Sequence, residues 1–270
     1  MFSIIRRIDR MDDIKEYKIL RLNGQKNRGD TDIIVVEYPF TIFINDEEFV
    51  TLLCSPKSLK YLAIGFLHSE GVINKKEDIA SISIDKYNGH AYVYTKDKGI
   101  LARKLYGKRT ITTGCGKGTI FYNVMDSFKS KSIEGNISVK KENIIKLVSI
   151  FNKKSELFAN TGGVHSCALC QEDKIILFEE DIGRHNALDK ILGRALLDDI
   201  DLKDKMILTS GRISSEILIK VAKRQIPVLI SRSAPTSLAI DIARELNITL
   251  IGFARGKKMN IYSNFPSLIS

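Results

Sequence analysis

Apolar and polar positions alternate through residues 31–54 in two runs, and the pair Asn45-Asp46 separates them. Alternation with a period of two, broken by turn-forming residues, predicts a β-hairpin. The next residues, Ser55-Pro56, offer an N-cap and a first-turn proline for a helix over residues 57–70, which Gly71 would end. This part of the chain therefore predicts two antiparallel strands followed by a helix.

A second pair of alternating runs, residues 79–85 and 90–96, flanks the turn signal Asn88-Gly89. Together with the first hairpin it predicts a small α+β unit with antiparallel strands over the first ~110 residues. A short helix is predicted further along the chain, over residues 121–128.

The pattern changes in the second half of the chain, where strand-like and helix-like runs alternate regularly. A helix predicted over residues 142–155 opens this half. The predicted strands then cover residues 174–180, 205–209, 227–231 and 249–254, and the helices between them cover residues 185–198, 214–224 and 236–247. Strands that alternate with helices of ten or more residues imply βαβ units and a parallel sheet that is covered on both faces.

The polar and charged segment 130–143 separates these two patterns, and we take it as a domain boundary. The predicted fold class is α/β. A smaller N-terminal α+β domain is expected over residues 1–130, ending in a loop around Cys115. A C-terminal domain with three α/β/α layers is expected over residues 131–270.

Composition and charge narrow the classes of function. The 270-residue chain is 44% hydrophobic and 27% charged, as expected of a soluble globular protein with a substantial core. No apolar run approaches the ~20 residues of a membrane-spanning helix. Charges flank the short apolar start of the chain, so we expect a cytoplasmic protein without a secretory signal. The net charge of +10 permits anionic partners, but no nucleic-acid-binding motif accompanies it, and nucleic acid is not a predicted partner.

An arginine follows each predicted strand of the second half, beside glycine or serine. These arginines are Arg184, Arg212, Arg232 and Arg255. The carboxyl ends of parallel strands share one edge of a sheet, where helix N-termini add free N–H groups and partial positive charge. Because guanidinium groups bind phosphate through paired hydrogen bonds, the four together predict a pocket for a ligand with several phosphates. The alternative is that each pairs with a nearby carboxylate, for instance Arg184 with Asp181.

The cysteines are few, and a cytosolic chain of this size favours metal binding or thiol chemistry over disulfides. They are Cys54, Cys115, Cys167 and Cys170. The run His165-Ser166-Cys167-Ala168-Leu169-Cys170 resembles the spacing of metal ligands. Zinc deaminases, however, carry a glutamate where Cys167 stands here, and a proline before their CxxC pair. Adjacent buried cysteines are the alternative, and no metal site is predicted.

The loop TTGCGKG, residues 112–118, places Cys115 among three glycines, with Lys117 two residues on. Glycine permits positive φ and close approach of the backbone, so this segment predicts an unusual loop. Either Cys115 is incidental in a flexible turn, or its thiol is presented to another molecule.

Several strings in the second half carry a family resemblance. They are TGGVHSCAL (161–169), EEDIGRHNALDKILG (179–193), SGRISSEILIK (210–220), SRSAPTSLA (231–239) and GFARGKKMNIYS (252–263). With these strings the chain resembles the formate dehydrogenase accessory proteins of the FdhD family, from the TTGCGKG loop to the C-terminus and, in coarser pattern, over the N-terminal half.

The resemblance implies sulfur transfer. A cysteine desulfurase would load sulfur as a persulfide on Cys115, and the sulfur would pass to the bis-molybdopterin guanine dinucleotide cofactor of formate dehydrogenase. It also implies a C-terminal domain of the cytidine-deaminase-like type and a homodimer. The expected cofactor-binding segment is Phe253-Ala254-Arg255-Gly256-Lys257-Lys258, with Arg184, Arg212, Arg232 and His165 beside it. For His165, a structural role is the alternative.

This chain departs from many members of that family in one respect. They carry two cysteines on the loop, as C-G-x-C-G, whereas only Cys115 is present here. The alternatives to a sulfurtransferase are a non-catalytic chaperone that binds the cofactor, and a relative of the zinc-dependent deaminases.

Overall fold

The fold is given by a computed structural model, which describes residues 13–24, 26–97, 133, 137–264 and 268–269. Three sequence predictions lie outside these residues: the loop around Cys115, the helix over residues 121–128, and the domain boundary at residues 130 and 131. They stay predictions.

The described residues form β-strands, α-helices and one 3₁₀ turn. The strands are β1 (Ile14–Asn23), β2 (Lys26–Val35), β3 (Tyr38–Ile44), β4 (Glu47–Cys54), β5 (Ile79–Asp85), β6 (His90–Thr95), β7 (Val139–Lys140), β8 (His165–Gln171), β9 (Lys174–Asp181), β10 (Met206–Thr209), β11 (Val228–Ser231), β12 (Thr249–Arg255), β13 (Lys258–Ile261) and β14 (Leu268–Ile269). The helices are α1 (Leu59–Ser69), α2 (Lys141–Lys154), α3 (Glu156–Thr161), α4 (Arg184–Leu197), α5 (Ser215–Lys223) and α6 (Ser237–Glu245), with a 3₁₀ turn at Lys76–Asp78.

The N-terminal part is built around a four-stranded sheet of order β4-β3-β6-β5. Asn45 and Asp46 form the β3–β4 turn with φ of 49° and 71°, as a two-residue hairpin loop requires. Both predicted hairpins are confirmed, but residues 31–35 belong instead to β2, which pairs with β1 in a separate two-stranded ribbon. Helix α1 packs on one face of the sheet, where its leucines and isoleucines meet the buried side chains of β3.

The start of α1 was predicted wrongly. The helix begins at Leu59 behind Ser58, whose φ is 56°, and not behind Ser55. Ser55 uses its amide and hydroxyl groups to donate hydrogen bonds to Asp181, far along the chain. A long-range contact therefore takes the residue that local sequence assigned to the helix cap.

The C-terminal part contains a six-stranded sheet of order β13-β12-β11-β10-β8-β9. The predicted α/β class is confirmed, and β10, β11 and β12 are parallel. The prediction of a wholly parallel sheet is wrong, because β8 runs antiparallel to both β9 and β10, and β13 antiparallel to β12. Two short turns, at Glu172-Asp173 and Gly256-Lys257, create these extra hairpins, and Glu172 and Gly256 adopt positive φ there.

The six-stranded sheet is covered on both faces, as predicted. Helices α4, α5 and α6 pack on one face and share a core with alternate residues of β8, β10, β11 and β12. Helix α2 packs on the other face. Successive crossovers that move in one direction across a sheet lie on one side of it, because such crossovers are right-handed. This explains why α4 to α6 share a face.

Helices α1 and α4 join the two parts of the molecule through a contact between glycines. A Cβ on Gly65 would lie 1.7 Å from the carbonyl oxygen of Asp189, and one on Gly193 would lie 2.0 Å from that of Tyr61. Backbone thus packs against backbone between the two sheets. None of the described helices is long and apolar enough to cross a membrane.

Candidate anion-binding edge of the six-stranded sheet

The candidate site lies at the edge of the six-stranded sheet where β9, β10, β11 and β12 end. Antiparallel β8 begins at this edge, because His165 is opposite Asp181 at the end of β9. Backbone hydrogen bonds join the turns: Arg232 N donates to Thr209 O at 3.0 Å, and Phe253 N donates to Ser233 O at 3.1 Å. The strand-end turns that carry the predicted arginines are therefore neighbours in space.

One half of the edge is formed around His165. The Nδ1 atom of His165 lies 3.4 Å from Ser210 Oγ, which also accepts a hydrogen bond from Ser166 N. Gly211 makes room for Arg184, since a Cβ there would lie 2.9 Å from Arg184 Cβ. Burial lowers the pKa of His165, and its electrostatic interactions with Arg184, His185 and Arg212 lower it further. His165 is thus held in its neutral form next to a cluster of cations.

His185 faces the first turn of α5 at the same edge. Its Nε2 atom lies 3.1 Å from Glu216 Oε2, at ion-pair distance but without hydrogen-bond alignment. Contact with His185 lowers the pKa of the Glu216 carboxyl, so this carboxylate stays ionised. Glu216 is the one acidic group in the first turn of α5, and sequence reasoning did not single it out.

The other half of the edge is formed by Arg232, Phe253 and Arg255. Arg255 Nε donates a 2.7 Å hydrogen bond to the carbonyl oxygen of Arg232, and its guanidinium carbon lies 6.0 Å from the centre of the Phe253 ring. Burial, followed by the charge of Arg255, lowers the pKa of Arg232. Phe253 has a φ of 50°, and the residue is 39% exposed. An exposed aromatic ring therefore stands beside two guanidinium groups.

The segment from Phe253 to Lys258 forms the β12–β13 hairpin, with the end of β12, the turn and the first residue of β13. Lys257 and Lys258 are exposed, and Gly256 turns the chain with a φ of 56°. Ala254 is buried in the core beneath α2. It can therefore offer a ligand only its backbone groups.

Within the described parts of the chain, none of the four strand-end arginines forms an ion pair. The alternative that Arg184 pairs with Asp181 fails, because Asp181 pairs with Lys190 at 2.7 Å. Several buried polar atoms at this edge also lack a hydrogen-bond partner among the described residues: Arg184 Nε, Arg232 Nε, His185 Nε2 and Ser214 Oγ. An unsatisfied buried donor costs about 1–3 kcal/mol, so such atoms favour a bound acceptor. Phosphate oxygens would be suitable acceptors.

Comparison with known proteins places the chain in a family. The sequence model of the FdhD/NarQ family matches residues 35–269. The chain belongs to the FdhD/NarQ family. Among its relatives, the sulfur carrier protein FdhD of Bacillus licheniformis is 48% identical over 92% of this chain and 94% of its own length. That of Listeria monocytogenes is 44% identical over 96% of this chain and all of its own.

The fold resembles a solved structure of the same kind. The crystal structure of a candidate formate dehydrogenase accessory protein from Desulfotalea psychrophila matches with a TM-score of 0.77. The two sequences are 23% identical, and the match covers 96% of this chain and all of that one. The resemblance to FdhD proteins that the sequence strings indicated is confirmed.

In this FdhD/NarQ family member the paired cysteines of β8 are core residues. Cys167 and Cys170 are three positions apart on a strand, so they lie on opposite faces: Cys167 packs under α4 to α6, and Cys170 under α2. Burial raises the pKa of both thiols, that of Cys170 to about 12. The spacing that resembled a metal site therefore does not bring the two thiols together. No cluster of three or more metal-ligating side chains occurs among the residues that the structure describes.

Sequence reasoning missed the residues that hold the β9–α4 turn beneath the site. They are Ser55, Asp181, Asn186 and Lys190, and all four are buried. A lysine at a core-facing position of an amphipathic helix is the one local signal for this cluster. Its partner Ser55 is 135 residues away in the chain, beyond the reach of any local pattern.

Proposed function

We propose that this protein is a sulfur carrier that acts in the maturation of formate dehydrogenase. Relatives that match almost the whole chain at 44–48% identity bear the name sulfur carrier protein FdhD. The finer proposal is that it works as a cytoplasmic sulfurtransferase and a homodimer. It would take sulfur from a cysteine desulfurase and deliver it to a bis-molybdopterin guanine dinucleotide cofactor, which is then its bound substrate.

Cys115 is the proposed carrier of the sulfur. Its thiolate would attack the outer sulfur of the desulfurase persulfide; a new S–S bond forms on Cys115, and the desulfurase cysteine leaves as a thiolate. The thiolate is the reactive form of cysteine, and a nearby cation such as Lys117 would favour it. The other cysteines are poor candidates because Cys54, Cys167 and Cys170 are all buried.

The observation that carries the binding proposal is the row of cations at the sheet edge. Arg184, Arg212, Arg232 and Arg255 have no ion-pair partner among the described residues, and buried donors beside them lack acceptors. The pyrophosphate groups of a guanine dinucleotide supply such acceptors, and guanidinium groups bind them bidentately. The exposed Phe253 ring adds an apolar surface on which a base could stack. These features support binding of the cofactor at this edge.

The carrier role is tested by loading the protein with sulfur. The protein is incubated with a cysteine desulfurase and cysteine, and intact mass is measured with and without a reductant. We expect one reducible added sulfur, located on Cys115 and absent in Cys115→Ala. Cys167→Ala is the matched control and should load normally. Loading of Cys115→Ala together with full formate dehydrogenase activity would refute the assignment.

The binding role is tested with GDP as the probe. Calorimetry should detect GDP binding that weakens about tenfold or more in Arg255→Ala, because a charge-assisted bidentate contact is lost. Arg244→Ala is the control, because Arg244 lies in the last turn of α6, at the end away from the anion-binding edge. Its Nε donates a hydrogen bond to Tyr262 O. If GDP binding depends on Arg255 while Cys115→Ala keeps formate dehydrogenase activity, the protein is a cofactor chaperone instead.

A further inference from the structure

The charged pair Asp181–Lys190 lies beneath the anion-binding edge. Both side chains are 0% exposed, and Lys190 Nζ lies 2.7 Å from Asp181 Oδ2. A buried ion pair is weak evidence for stability, because the loss of solvation offsets much of the attraction. The pair therefore calls for an explanation in terms of what it holds in place.

The hydrogen bonds of Asp181 connect two distant parts of the chain. Oδ1 accepts from Gly183 N and from Asn186 Nδ2, each at 2.9 Å, and both donors belong to the β9–α4 turn region. Oδ2 accepts from Ser55 N at 3.1 Å and from Ser55 Oγ at 3.2 Å, beyond the end of β4. One carboxylate thus ties the turn on one side to strand β4 on the other.

Lys190 and Asn186 complete this tie. Lys190 Nζ donates to Ser55 Oγ at 2.8 Å and to Glu180 O at 3.1 Å. Asn186 Nδ2 also donates to Leu53 O at 2.9 Å. Every polar side chain of the cluster therefore bridges the N-terminal sheet and the β9–α4 turn.

The turn that this cluster fixes carries Arg184. Arg184 directly follows Gly183 and is the first residue of α4, and its Nε is one of the buried donors without a partner among the described residues. A guanidinium group loses less conformational entropy on forming bidentate contacts when its position is already fixed, so the position of the turn affects how tightly Arg184 can bind an anion.

We propose that Asp181, Lys190 and Ser55 are positioning residues that set the direction of Arg184 at the anion-binding edge. They act through the β9–α4 turn and do not touch the ligand. The inference rests on the proposed function, because it assumes that a phosphate ligand binds at Arg184. If the inference holds, tight binding of the phosphate ligand requires that the end of β4 stays attached to the β9–α4 turn.

The chain offers a matched control for this cluster. Asp189 lies on α4 and is 1% exposed; it pairs with Lys220 at 2.6 Å and accepts a 2.6 Å hydrogen bond from Ser69 Oγ. This second cluster has the same composition: one aspartate, one lysine and one serine from the N-terminal part. It holds α1 and α5 to α4 but does not contact the β9–α4 turn.

The experiment compares Asp181→Asn with Asp189→Asn in the full-length protein. Urea unfolding gives the stability of each variant, and GDP affinity is measured where both are fully folded. We expect both variants to lose stability, whereas only Asp181→Asn loses GDP affinity, by about tenfold, the size of a lost charge-assisted contact. Equal affinity losses in the two variants would overturn the proposal.

A double-mutant cycle separates positioning from a general structural effect. If Asp181 acts through Arg184, adding Asp181→Asn to Arg184→Ala should cause little further loss of GDP affinity. Additive losses, or an Arg184→Ala variant that binds GDP as the wild type does, would refute the inference. Failure of the wild type to bind GDP would instead reject the cofactor site of the proposed function, and the inference with it. The two failures are thus distinguishable.

Discussion

The difference in reactivity among the cysteines gives a sharp prediction. Cys54, Cys167 and Cys170 are fully buried, and burial raises the pKa of all three thiols. Since only the thiolate reacts, these residues should be inert in the folded protein. We expect iodoacetamide to alkylate the native protein once, at Cys115.

How much more slowly the buried thiols should be alkylated follows from the pKa of Cys170, which is shifted least of the three. A pKa of about 12, against an ordinary value of 9.0, lowers the thiolate fraction at pH 8. The fraction falls from about 10⁻¹ to about 10⁻⁴, a factor of roughly 1000. Complete burial adds to this factor, because the reagent reaches the sulfur only after local opening. Alkylation of Cys170 should thus be at least ~1000-fold slower than in the unfolded chain.

The assay follows intact mass at pH 8, in buffer and in urea, and locates each adduct by peptide mapping. The unfolded protein should gain four adducts at similar rates, and the native protein one. Cys115→Ala should gain none in its native state, whereas Cys167→Ala should still gain one. Alkylation of Cys167 or Cys170 in the native protein within tenfold of its rate in urea would refute the reasoning. It would also reopen a role for β8 in carrying sulfur.

Two further predictions concern stability. Gly65→Ala should lower the free energy of unfolding by about 3 kcal/mol, because the added Cβ would lie 1.7 Å from Asp189 O. Gly29→Ala is the control and should change this free energy little, because a Cβ there meets no atom within 4 Å. Urea unfolding of both variants measures the two effects, and equal effects would contradict the prediction. Burial and the charge of Arg224 lower the pKa of His68 to about 4. Because the folded pKa lies below the unfolded one, stability is present above pH 6.5 and is lost as the pH falls towards 4, by about 2 kcal/mol between pH 7 and pH 5. A His68→Gln variant should lack this part of the pH dependence, and an unchanged difference between pH 7 and pH 5 would refute it.

Local pattern was sufficient for most elements of the fold. The turn residues Asn45-Asp46 and Asn88-Gly89 located both hairpins, and the regular alternation of the second half predicted the three parallel strands and their helices. Strand β8 was missed because its cysteines resembled metal ligands, although residues 167–170 (CALC) are also a short apolar run. Strand β13 was missed because KMNI is short and half exposed. Neither carries a strong period-two signal.

Of the candidate site, the sequence predicted where the arginines lie but not the long-range contacts that support them. A topological rule placed the arginines, since strand ends of an α/β sheet collect at one edge. What supports them was invisible in sequence, because the contacts of Asp181 and Lys190 with Ser55 join residues 126 and 135 positions apart. The misplaced start of α1 has the same origin: Ser55 has the composition of a helix cap but is held by Asp181. A pattern of neighbours cannot distinguish these two uses of one serine.

The strand order determines how long a ligand must be to contact all four strand-end arginines. Arg184 follows β9 and Arg255 ends β12, and β8, β10 and β11 lie between these strands. Four spacings of about 4.8 Å separate the two ends by roughly 19 Å, several times the span of one pyrophosphate group. A single small anion therefore cannot contact all four arginines. An elongated dinucleotide with separate phosphate groups is long enough to place one phosphate group near each end of this edge. The insertion of antiparallel β8, which the sequence analysis did not foresee, adds one of those spacings and places neutral His165 between the cations.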